Sequence, residues 1–143
     1  MNVSHILAAK GSDVITAQPH RTMAEIAATL SDKGIGAIVI TDAGGNVLGI
    51  ISERDLVRAI AHYGAQALED AVSKHMTGAV ITATREATID SLTEQMTAGR
   101  FRHMPIVEGG RLCGIVSIGD AVKWRVEQIE SEHKALREYI ASA

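Results

Sequence analysis

"GIISERD" occupies Gly49–Asp55 and "GIVSIGD" occupies Gly114–Asp120. Each places a serine three residues before an aspartate, at the mouth of an apolar run with helical spacing. Alone, either phrase reads as a capping box: serine at the N-cap, an acid at the third helical position, each satisfying the other's backbone N–H. Written twice, the phrase asks how far the repetition extends.

Upstream, "VITAQPHRTMAEIAATLSDKGIGAIVITD" from Val14 aligns without a gap on "VITATREATIDSLTEQMTAGRFRHMPIVE" from Val80. The motif "VITA" is identical in both, Thr22 falls on Thr88, and Met23, Ile26 and Leu30 fall on Ile89, Leu92 and Met96. The second copy drops one residue in its glycine turn. Gly49, Ile50, Ser52, Asp55 and Val57 then fall on Gly114, Ile115, Ser117, Asp120 and Val122. "VSHIL" at Val3 pairs loosely with "VSKHM" at Val72. An internal duplication spans most of the chain. Two copies are too few for a solenoid, and pseudo-two-fold symmetry is the natural solution.

Each copy has the same local plan, a short "VIT" strand followed by a helix, a hairpin and a second helix. Thr22 and Glu25 form a capping box for the first helix, which turns Met23, Ile26, Ala27 and Leu30 to one face and ends at Gly34 and Gly36. "AIVITD", the turn "AGGN" and "VLGIIS" make a hairpin. The second helix opens after Ser52, carries Leu56, Val57 and Ile60 inward, and stops at Gly64. In copy two Pro105 forces Met104 into an extended conformation. The connector runs from Gly64 to Ala71. A long last helix runs from about Ile118 toward Ile140. Val122, Val126, Ile129, His133, Leu136 and Ile140 lie along it at heptad-like spacing, broken by His133, with Glu130 and Lys134 paired outside. Barely three heptads cannot sustain a free coiled coil, but they are long enough to pack on another subunit. Val122 and Val126 are expected to pack on their own domain.

The bulk numbers fit this plan. In 143 residues, 46% are apolar and only 3% aromatic, so the core is aliphatic. A net charge of −3 argues against a nucleic-acid binder held by bulk charge. The single cysteine, Cys113, excludes an internal disulfide and a zinc knuckle. No apolar run approaches membrane-spanning length, and the start lacks the form of a signal peptide. The expectation is a cytoplasmic protein with no nucleic-acid or membrane partner and no metal.

Two tandem units of strand, helix, strand, strand, helix, each carrying G-h-h-S-x-x-D between the last strand and helix, resemble a pair of cystathionine β-synthase (CBS) domains. "RHMPIV" from Arg102 makes the resemblance more specific. It implies an α/β (α+β) fold of two β-α-β-β-α repeats. The expected limits are 1–65 for the first CBS domain, 71–128 for the second and 129–143 for a C-terminal helical extension. It also implies a homodimer, disc-like and joined through helices, and an unidentified effector protein as a further partner.

For the site, a helix N-terminus with a serine hydroxyl suits a phosphate, and an ionised aspartate one turn in accepts from ribose hydroxyls. The resemblance implies those roles for Ser117 and Asp120, with Ile118 and Gly119 between them, and for Ser52 and Asp55 in copy one. "RFRHMPIV" adds Arg100, Arg102 and His103. In an extended stretch Arg100 and Arg102 share one face, Phe101 and His103 the other. Arg102 or His103 is placed to reach a phosphate, while Arg100 reads equally as a solvated turn. Met104 and Pro105 form an apolar wall for an adenine ring. Copy one reads "GIGAIV" here, so the two sites are unequal. Arg54, in copy one, is expected to close over the phosphates, and Lys10 to reach the same place or stay on the surface. Thr16, Thr82, Ile35 and Ala37 complete the candidate ligand-binding residues. The ligand class is an adenine nucleotide. AMP is the first expectation, and ADP, ATP, NAD(H) and S-adenosylmethionine share its adenosine. The chain has no G-x-S-x-G elbow, H-E-x-x-H, P-loop or Rossmann fingerprint. A regulatory binding module with no catalysis of its own is preferred over a ligand-free protein-interaction module or a small hydrolase.

Overall fold

Both Ser-x-x-Asp phrases start helices. Asp55 N donates to Ser52 Oγ at 3.3 Å while Ser52 N donates to Asp55 Oδ2 at 2.9 Å. Ser117 and Asp120 repeat the exchange at 3.1 and 2.9 Å. The computed structural model describes residues 2–142. In it the order is α1 (Val3–Lys10), β1 (Thr16–Ala17), α2 (Met23–Lys33), β2 (Ala37–Thr41), β3 (Val47–Ser52) and α3 (Glu53–Tyr63), then two short 3-10 turns at Ala65–Glu69 and Val72–Lys74. The second half holds α4 (Ile89–Gly99), β4 (His103–Glu108), β5 (Arg111–Ser117) and α5 (Ile118–Ser142).

The duplication extends to irregularities. Strands β2 and β3 are antiparallel with Ala37 opposite Ser52, and β4 and β5 place His103 opposite Ser117. Both hairpins slip register at the same repeat position, Ile40/Thr41 and Ile106/Val107. Thr22 and Thr88 cap α2 and α4. The buried faces are those the apolar spacing names: Met23, Ile26 and Leu30 on α2, and Ile89, Leu92 and Met96 on α4.

Three expectations are corrected. The "VIT" strand of copy two does not form. Ala83 alone bridges to β4, its N–H donating to Pro105 O at 3.1 Å and its carbonyl accepting from Val107 N at 2.9 Å. Pro105 stands at the repeat position of Val39, which pairs with Thr16 in copy one. Without an N–H it cannot extend the ladder back through Thr82. Second, Val57 and Ile60 do not point inward: they are 64% and 39% exposed, and Ala59 is the buried residue of α3. Third, Val122 and Val126 on α5 are likewise exposed, while Ala121 is buried.

The segments before each repeat, whose packing the sequence left open, cross between the two cores. "VSHILAAK" is a helix, and its Val3, Ile6 and Leu7 are buried in the core of the second repeat. Ala67 of the connector and Val72 just after it join the core of the first repeat. The two conserved-in-copy glycines make these contacts fit. A Cβ at Gly114 would lie 2.7 Å from Leu7 Cδ2, and one at Gly49 would lie 2.6 Å from Met76 Sδ. Each repeat is thus closed by the segment that precedes the other.

Candidate functional site

Asp120 sits in the first turn of α5, held there by its cap with Ser117. Its Oδ2 also receives Lys10 Nζ at 2.6 Å, and the same ammonium donates to Ile115 O at 3.0 Å. Lys10 is the last residue of α1, so the helix that closes the second core delivers it. It lies on the candidate ribose carboxylate, where the sequence left it either at the cleft mouth with Arg54 or on the surface. Burial raises the Asp120 pKa, but the hydrogen bond from Lys10, those from Ser117 and the Lys10 charge outweigh it. The carboxyl stays below the usual range and is ionised at neutral pH. Asp55, in copy one, keeps only its cap: Asp55 Oδ2 accepts from Ser52 N and Oγ.

His103 opens β4 half-buried, in the space left by Gly36. A Cβ on Gly36 would meet its Cε1 and Nε2 at 3.3 Å and Glu53 Oε1 at 3.4 Å. Burial lowers the His103 pKa, helped by the Lys10 and Arg102 charges and opposed by Asp120 and Glu53. The ring is neutral at pH 7, a hydrogen-bonding group and not a cation. The charge available for a phosphate therefore rests with arginine.

Three arginines supply it. Arg54 from α3, with Arg100 and Arg102 from the turn after α4, line one cavity of about 360 Å³ whose other walls are Met96, Thr97, Phe101 and Ile118. No acidic side chain lines it. Among the described residues, none of the three arginines forms an ion pair. Ile118, which follows Ser117, joins this cavity to the Asp120 turn, and its N–H donates to Arg102 O at 2.8 Å. Glu53 N donates to Gly36 O at 3.0 Å in the matching position of copy one. One N–H of each helix start is thus committed to the chain itself.

The expected alternation across Arg100–His103 fails, because Arg100 is a left-handed helix cap at φ 56° and the strand begins only at His103. Met104 is fully buried in the second core and cannot wall an adenine ring; Pro105, also buried, is on the opposite face of β4, with His103. Thr16 is exposed on β1 and lines a different, larger cavity of about 650 Å³ with Arg21 and Glu25, which pair with each other at 3.0 Å. Thr82 is half-buried in irregular chain. Ile35 packs on the first core, and Ala37 is buried opposite Ser52. Gly119 is exposed beside Ser117. The residues brought together are Ser117, Ile118, Asp120, Lys10, Arg54, Arg102 and His103. Arg100 and Glu53 join them. The signal for Arg100 was in the repeat alignment, where it falls on Gly34.

Among the described residues, no helix is long and apolar enough to cross a membrane, and no cluster of three metal-ligating side chains occurs. The CBS domain model matches the chain twice, at residues 3–62 and 70–127. An uncharacterized protein of Methanopyrus kandleri is 35% identical over 130 residues, covering 88% of this chain and 66% of that protein. The chain spans about two thirds of the length of such curated relatives, 66% in both this case and that of an Acidianus ambivalens protein. Among crystal structures, the CBS-domain containing protein ATU1752 from Agrobacterium tumefaciens superposes with a TM-score of 0.85 at 51% identity, covering 87% of this chain and 99% of that one. The CBS domain pair of protein MJ0100, in complex with 5-methylthioadenosine and S-adenosyl-L-methionine, superposes with a TM-score of 0.80 at 26% identity, covering 90% and 98%.

Proposed function

The chain belongs to the CBS domain family, and on that premise we propose that it is a regulatory module that binds an adenine nucleotide between its two repeats, with no catalysis of its own. The observation that carries this reading is an ionised Asp120 at a helix start, joined through Ile118 to a cavity lined by unpaired arginines from both repeats. A carboxylate suits the two hydroxyls of a ribose, and guanidinium forks suit a phosphate. The adenosine-containing ligands of the MJ0100 domain pair support the ligand class. AMP is the simplest member to test, ahead of ADP, ATP, NAD(H) and S-adenosylmethionine. The bound state is read by an effector protein, and the working unit is a homodimer.

Two charge-assisted hydrogen bonds from ribose to Asp120 contribute about 2–4 kcal/mol, allowing for non-additivity. Asp120→Ala should weaken AMP by about one to three decades. Calorimetry with Asp120→Ala and Asp120→Asn checks this, since the amide keeps the shape of the side chain. Unchanged affinity in both variants would reduce Asp120 to a helix cap. No binding of any adenosine compound by the wild type would favour a ligand-free interaction module, in which Lys10 is the permanent partner of Asp120.

A further inference from the structure

Among the described residues, one polar residue is buried with the apolar core: Thr41, 7% exposed, at the end of β2. Buried hydroxyls are ordinarily hydrogen-bonded. That of Thr41 has no partner among the described residues, where the hydrogen bonds of the following turn run to Asp42 instead. It is not sealed in, and Thr41 forms part of the wall of the 650 Å³ cavity. The fold does not ask for a hydroxyl here. At the matching position of the second repeat, beside the same register slip, stands Val107.

The cavity lies between β1, the first turns of α2 and the turn after β2, at the other end of the β2–β3 hairpin from Ser52. Its hydrogen-bonding wall belongs to the first repeat alone. Arg21, Glu25 and Thr41 fall on Ala87, Ser91 and Val107. Glu108, the counterpart of Asp42, is tied to Arg85 at 3.1 Å.

The charges in the wall are already matched. Arg21 donates to Glu25 at 3.0 Å and holds that carboxyl below its usual range. Asp42 accepts from Gly44 N and Asn46 N, both at 2.9 Å, and from Asn46 Nδ2 at 3.1 Å. No free guanidinium awaits a phosphate, and no free carboxylate awaits an ammonium. What remains is a close mixture of donors and acceptors, with Thr16, Gln18 and Thr29 beside Thr41 and the apolar Ile26 behind them. A ligand hydroxyl both donates and accepts, so it matches such a wall. The volume is that of a small-molecule site.

We propose that the first repeat carries a second binding site, separate from the Asp120 cleft, for a small neutral polyhydroxylated molecule, with Thr41 as its deepest hydrogen-bonding group. The test is backbone-amide NMR of the intact protein titrated with D-glucose, myo-inositol and glycerol, and in parallel with inorganic phosphate and methylammonium. At least one of the three polyols should give saturable shifts at Thr16–Gln18 and Thr41–Gly45, which neither ion reproduces. Those shifts should persist in Asp120→Ala and with AMP present. Thr41→Val should weaken polyol binding about tenfold without lowering the melting temperature, because the second repeat already carries valine there. Thr41→Ser, which keeps the hydroxyl, should stay within about threefold of wild type. Shifts with none of the three polyols, full affinity in Thr41→Val, or loss of the shifts in Asp120→Ala would each overturn the site. Shifts that phosphate or methylammonium produces at lower concentration than any polyol would overturn the ligand class.

Discussion

Lys10 reaches Asp120 across 110 positions of sequence, and its ammonium bridges that carboxylate to Ile115 O. The pair makes the first turn of α5 sensitive to acid. The carboxyl of Asp120 is held below its unfolded value, so its contribution to stability is complete above the ordinary carboxylate pKa. It is lost as pH falls through the lowered folded value. The melting-temperature gap between wild type and Asp120→Asn should therefore be constant from neutral pH down to about 5 and close below about 4. A gap that widened in acid would mean that the carboxylate is not ionised in the fold. The two capping boxes were legible in the sequence because their partners lie three residues apart. The Lys10 contact was not, since nothing local to "AAKGSD" names a partner on β5 and α5. Arg100 lay between these cases. Its spacing suggested a strand face, but the helix cap inherited from Gly34 governs its backbone.

At the scale of elements, the duplication in the sequence carried over to paired hairpins with a shared register slip, because apolar periodicity and turn residues are local signals. The exchange of closing segments was not readable. Val3, Ile6 and Leu7 have helical spacing, but whether they cover one repeat or the other is decided by packing at long separation. The glycines of "GIISERD" and "GIVSIGD" record that packing. Gly114→Ala drives a Cβ into Leu7, and Gly49→Ala drives one to within 2.9 Å of the Thr77 carbonyl as well as into Met76. Each should cost about 1–3 kcal/mol, as overpacking does. In a domain of this size that lowers the melting temperature by roughly 3–10 °C. Gly119→Ala is the control. Its Cβ would meet only Ser117 Oγ at 3.6 Å, and alanine is the better helix former, so it should be neutral or slightly stabilising. If Gly49→Ala and Gly114→Ala melt with the control, α1 and the connector are not seated as described.

The whole molecule leaves a long apolar face without cover. Val57, Ile60 and Tyr63 on α3 are exposed, as are Val122, Val126, Ile129, Leu136, Tyr139 and Ile140 on α5. The positions are not scattered: Val57 and Val122 are repeat equivalents, and the rest of the α5 set continues along one helix past the end of the second repeat. From Ile129 onward every described residue of α5 is exposed, so its own chain does not brace this stretch. Burying each large aliphatic side chain would gain about 1.5–3 kcal/mol relative to leaving it in water. A second copy related by a two-fold axis sets like faces against each other with no further partner required. The expected outcome is a homodimer at micromolar concentration by sedimentation. Ile129→Lys with Leu136→Lys should shift it toward monomer, by placing four like charges in a two-fold seam. A dimer indifferent to that change, but broken by Val57→Lys with Ile60→Lys, would move the interface to the repeat helices. The apolar face of α4 is not a candidate for that role, because Ile89, Leu92 and Met96 are spent in the core. A wild type that sediments as a monomer would remove the dimer altogether and leave the face of α3 and α5 for the effector protein.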